Sequence, residues 1–61
     1  MNAREILKIL KADGWNVLRQ EGSHLRLGKG TARTTLPLHG ARDVTPGVLA
    51  AIERQTGIRM K

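Results

Sequence analysis

A chain of 61 residues suffices for one small domain, and at that size only about 60% of the unfolded surface is buried, so a marginal core is expected over residues 1–61. It has no cysteine, which excludes disulfides, cysteine nucleophiles and the usual zinc sets, and two histidines are a poor substitute. Eleven Lys and Arg against five Asp and Glu leave a net charge of +6, which favours a polyanionic partner such as RNA, DNA or an acidic protein surface.

The first predicted element is a helix from Ala3 to Asp13. Asn2 followed by Glu5 fits a capping box, Ile6, Leu7, Ile9 and Leu10 form an apolar stripe, and Arg4, Lys8 and Lys11 line a different face. Gly14 suits the position just past a helix end. No apolar run approaches the ~20 residues of a membrane span. The N-terminus leads into this amphipathic pattern rather than a signal peptide, so the expectation is a complete, soluble, cytoplasmic chain.

Three strands follow. Trp15 to Gln20 places Trp15 and Val17 on one face, with Trp15 as the main core residue, and Asn16 and Leu18 on the other. Glu21-Gly22 reads as a tight turn. Ser23 to Gly28 turns Leu25 and Leu27 inward, with His24 and Arg26 outward. Lys29-Gly30 makes a second turn, and Ala32 to Leu38 alternates Thr34, Leu36 and Leu38 against Arg33, Thr35 and Pro37. Pro37 cannot donate to a ladder and belongs at a strand end or edge. After a loop from His39 to Val44, Thr45-Pro46 starts a second helix, with Asp43 as an alternative cap. That helix carries Val48, Leu49 and Ile52 inward and ends near Gly57.

The predicted class is therefore α+β in the order α-β-β-β-α, with a three-stranded antiparallel sheet. So few apolar residues cannot coat both sheet faces, so both helices share one of them. The open face then holds His24, Arg26 and Arg33.

A basic domain with an exposed histidine suggests phosphodiester chemistry. RNA carries its own nucleophile, so cleavage needs two proton transfers and positive charge near the phosphorane. Imidazole suits proton transfer, with a reference pKa of about 6.5. His24 is the candidate catalytic residue. Arg26 and Arg33 are candidates for binding RNA on the same face, with Lys8, Lys11 and Lys29 as further basic contacts. Gly22 would let a substrate backbone approach closely, and Ser23 would bond a phosphate or close the turn. The second proton carrier is open between water, His39 and a lysine. Scattered carboxylates disfavour a two-metal nuclease, so no metal or other cofactor is expected.

In the order and spacing of its motifs the chain resembles the HicA toxins, messenger-RNA interferases of bacterial toxin–antitoxin pairs. The resemblance runs through Gly14-Trp15, Gly22-Ser23-His24 and Leu36-Pro37-Leu38-His39, then Asp43, Gly47, Leu49, Ile52, Gln55 and Gly57-Ile58. It implies a fold like that of double-stranded-RNA-binding domains and metal-independent cleavage of mRNA with His24 as the catalytic residue. It also implies a HicB-type antitoxin as partner in a hetero-oligomer. Leu25 departs from the pattern, because many relatives carry a second His or an aromatic there. The alternative reading is a non-catalytic double-stranded-RNA-binding module, in which His24 is one contact among several.

Overall fold

A computed structural model describes residues 1–60. The element order is α1 (Ala3–Ala12), β1 (Asn16–Glu21), β2 (His24–Lys29), β3 (Ala32–Pro37) and α2 (Pro46–Thr56). The strands form one antiparallel sheet in the order β1-β2-β3. This is the α-β-β-β-α arrangement expected, and it is the architecture of double-stranded-RNA-binding domains.

Both helices start where their caps dictate. Asn2 Oδ1 accepts from the Glu5 N–H and Glu5 Oε1 accepts from the Asn2 N–H, each at 2.9 Å, which completes the capping box. Thr45 caps α2 through the Val48 N–H. Asp43 does not cap it; it forms a bridge to Asn2, and its carboxylate lies 3.5 Å from the N-terminal amine. The 42–44 segment is thereby tied to the N-terminus, with the Val44 N–H donating to the Met1 carbonyl.

The core lies between the helices and one sheet face. Ile6 and Leu10 of α1, Leu25 and Leu27 of β2, Leu36 of β3, and Leu49 and Ile52 of α2 are buried together with Trp15. Val44 and Met60 join them, and neither position belongs to a periodic segment. Thr34 is buried among these residues, and its hydroxyl donates to Gln55 Oε1 at 2.8 Å, joining β3 to α2 without an unpaired polar group.

Strand β1 differs from expectation in two ways. Val17 faces the helix side, opposite Leu27, yet remains 41% exposed because the helices pack chiefly against β3 and leave β1 uncovered. The register also slips between Val17 and Arg19: Val17 pairs with Leu27 and Arg19 with Arg26. Leu18 is the extra residue of a β-bulge. Uninterrupted alternation would turn Arg19 to the helix side with Val17; the bulge turns it to the open face.

Both hairpins close one residue later than the turn dipeptides suggest. Glu21 pairs with His24 and Lys29 with Ala32, so the two-residue loops are Gly22-Ser23 and Gly30-Thr31. In each, glycine takes positive φ (+59° and +58°) and the following residue does not. That is the sign pattern of a type II′ turn, whose twist matches the strands and whose first position favours glycine. Strand β2 consequently begins at His24 rather than Ser23.

Candidate nucleic-acid interface

The open sheet face is built from three cross-strand rows. Glu21, His24 and Pro37 make the first, Arg19, Arg26 and Thr35 the second, and Asn16, Gly28 and Arg33 the third. His24 therefore stands at the hairpin end of β2, exposed, with Arg26 two residues along the same face. Positions two apart on a strand are about 7 Å apart, so an imidazole and a guanidinium there can act on one phosphodiester.

Arg19 and Arg26 lie directly opposite each other. Like charges so placed destabilise a sheet unless an anion sits between them. Glu21 supplies one: its Oε1 lies 3.5 Å from Arg19 Nε and 3.7 Å from Arg26 Nη1. Both partners are substantially exposed, so the pairing is weak and easily exchanged for another anion. Beside it, Leu18, Arg19, Arg26 and Arg33 line a shallow depression of about 250 Å³.

Gly28 forms the floor of the third row. A Cβ there would come within 2.9 Å of Leu18 Cδ1 and 3.0 Å of Arg33 Nη1, so those two side chains lie across the strand because glycine leaves the space. Arg33 Nη1 donates to the carbonyls of Gly30 and Ala32, at 2.9 and 2.8 Å. These bonds hold the guanidinium at the edge of the depression.

The basic residues singled out in the sequence do not all converge. His24, Arg26 and Arg33 share the open face, with Gly22 and Ser23 at its rim. Lys29 alternates with Leu25 and Leu27 and so turns to the helix side, where its Nζ meets Asp13 Oδ2 at 3.0 Å. Lys8 and Lys11 are exposed on the side of α1 opposite buried Ile6 and Leu10, with the sheet between them and His24. Arg19 belongs to the site and strict alternation misses it; the consecutive apolar pair Val17-Leu18 is the one local signal of the bulge. Leu25 is buried on the core side.

Gly22-Ser23 is anchored both from the β3 side and from within its own hairpin. The Leu38 N–H donates to the Ser23 carbonyl at 2.6 Å, and Gln20 Nε2 donates to the Gly22 carbonyl at 3.1 Å. A Cβ built at Gly22 would meet nothing within 4 Å, so the approach to His24 from the turn is open.

Among known families, the model described as "HicA toxin of bacterial toxin-antitoxin" matches residues 3–58, nearly the whole chain and every element above. The chain belongs to the HicA toxin family. No curated protein and no solved structure matches it. Membership makes this a toxin of a toxin–antitoxin system, with an antitoxin as its partner. Among the described residues, no helix is long and apolar enough to cross a membrane. In this HicA chain Gly22-Ser23-His24 makes the type II′ loop and the first residue of β2, set at the end of an arginine-lined sheet face.

Proposed function

We propose that this HicA chain is a metal-independent endoribonuclease that cleaves mRNA on its open sheet face, with His24 as a proton-transfer residue. The observation that carries the reading is the placement of exposed His24 two residues from Arg26, with Arg19 across from it and Arg33 beyond. The arginines bind the phosphates on either side of the scissile bond and offset charge on the phosphorane. His24 moves one of the two protons in attack by the 2′-hydroxyl and departure of the 5′-oxygen. Gly22 and Ser23 shape the open approach beside it. Among the described residues no three His, Asp or Glu side chains gather, so the donor set favours acid–base over metal chemistry. The test is cleavage of an mRNA in EDTA by the wild type and by His24→Ala. The reading expects cleavage by the first alone; equal cleavage by both would remove His24 from the mechanism.

Glu21 competes with RNA for Arg19 and Arg26. Glu21→Gln is expected to tighten RNA binding at low salt by about two- to fivefold, the scale of an exposed ion pair, and to steepen the salt dependence. Fluorescence anisotropy with a labelled RNA reads this directly. Unchanged or weaker binding would show that the carboxylate does not occupy the phosphate position.

A HicB-type antitoxin that presents acidic groups to the open face blocks RNA by neutralising the same arginines. Binding only the folded toxin stabilises it by about 2.7 kcal/mol when the partner is present at a hundredfold its Kd. For a domain this small that raises the melting temperature by roughly 10–20 °C. Differential scanning fluorimetry with saturating antitoxin measures the shift, and an unchanged midpoint contradicts preferential binding to the folded state.

A further inference from the structure

Cleavage by transesterification needs a second proton carrier on the far side of the phosphorus from His24, and the register of β2 and β3 singles one out. His24 pairs with Pro37, and the 2.6 Å bond from the Leu38 N–H to the Ser23 carbonyl continues that pairing past the end of the strand. Leu38 packs against the core, so its neighbours Pro37 and His39 take the opposite side, the side of His24. Continued one further step, the register sets His39 across from Gly22 and diagonal to His24. Diagonal positions on one face of an antiparallel pair are about 7–8 Å apart. That gap admits a phosphodiester with an imidazole in reach of the oxygen on each side, and the missing Gly22 side chain leaves it open. His39 is exposed, and the Arg42 N–H donates to its carbonyl at 3.2 Å, holding the backbone there in a turn. Neither ring nitrogen is hydrogen-bonded among the described residues, whereas Glu21, the other group beside His24, is engaged by Arg19 and Arg26.

We infer that His39 is the second proton-transfer residue of the cleavage, the partner of His24; this rests on the ribonuclease reading. One imidazole accepts the 2′-hydroxyl proton as the 2′-oxygen–phosphorus bond forms. The other, as imidazolium, gives its proton to the 5′-oxygen as the phosphorus–oxygen bond breaks. The products are a 2′,3′-cyclic phosphate and a 5′-hydroxyl, and exchange with water restores both rings.

The experiment uses the whole chain with an RNA substrate in EDTA, comparing wild type, His24→Ala, His39→Ala and His39→Asn. The two His39 variants are expected to lose about 100-fold or more in kcat with KM within about threefold, at unchanged melting temperature. The wild-type pH profile is expected to be bell-shaped, with His39→Asn losing one limb and His24→Ala the other. A substrate carrying sulfur in place of the scissile 5′-oxygen, whose thiolate leaves without a proton, is expected to restore whichever variant lacks the acid and not the other. If His24→Ala is inactive while the His39 variants keep kcat within threefold, or lose only KM with both limbs intact, His39 is not a proton carrier and the ribonuclease reading stands without it. If the wild type leaves RNA intact, both readings fall together.

Discussion

Replacing His24 by alanine is expected to lower the rate of RNA cleavage by about 10²- to 10⁴-fold while leaving the fold and most of the RNA affinity in place. The size follows from losing one proton transfer in the transition state, equivalent to roughly 3–5 kcal/mol of barrier. The fold survives because His24 is exposed at the first position of β2, where its backbone, not its ring, makes the pairing with Glu21 and Pro37. Affinity survives because Arg19, Arg26 and Arg33 are untouched. The split is the diagnostic: kcat should fall and KM should hold. A variant that loses binding and rate in proportion would place His24 among the phosphate contacts instead.

Leu27→Ala is expected to be the most damaging of simple core changes. Leu27 is fully buried in the middle strand, in one cluster with Ile6, Leu10, Leu36 and Ile52. Truncating such a residue removes about 2–5 kcal/mol. The whole stability of a chain of 61 residues is roughly 3–9 kcal/mol, so one change removes a large share of it. The melting temperature should fall by roughly 10 °C or more, and part of the population should be unfolded at 37 °C. Trp15, the one tryptophan and itself buried, reports the transition by its fluorescence. A midpoint within a few degrees of wild type would show that the core collapses around the gap or that Leu27 contributes little.

Much of the fold was legible because local signals agreed with one another. The Asn2 and Glu5 pair, the Thr45-Pro46 start and the stop near Gly57 each rest on backbone groups that must be capped, and the structure caps them there. The alternation of Leu25 and Leu27 against His24 and Arg26 gave the two faces of β2 correctly, because β2 is the central strand and pairs on both sides. Strand β1 was harder. Alternation assumes one residue opposite one, and the bulge at Leu18 breaks that count, so Arg19 reaches the open face although periodicity alone sends it inward. Val17 shares the helix side yet stays exposed, since the facing of a side chain does not determine whether a helix reaches over it. Val44 and Met60 reach the core outside any periodic segment: the Val44 N–H donates to the Met1 carbonyl, and the Met60 N–H to the Glu53 carboxylate. Basic composition pointed to a polyanion but could not distribute the charge; the structure sends Lys8, Lys11 and Lys29 to the helix side and keeps Arg19, Arg26 and Arg33 with His24.

A sheet face with two guanidiniums in direct opposition, a third at its edge and an imidazole at one end is poorly suited to stability alone. Among the described residues the one acidic side chain on this face, Glu21, is exposed and weakly held. In the proposed reading, a phosphodiester supplies the missing negative charge and brings its own nucleophile to the histidine.

The most direct measurement is end-group analysis of RNA incubated with the purified toxin in EDTA. Fragments with 2′,3′-cyclic phosphate and 5′-hydroxyl ends are expected, formed by wild type and not by His24→Ala. Fragments bearing 5′-phosphates, cleavage abolished by EDTA, or intact RNA would contradict the proposed mechanism.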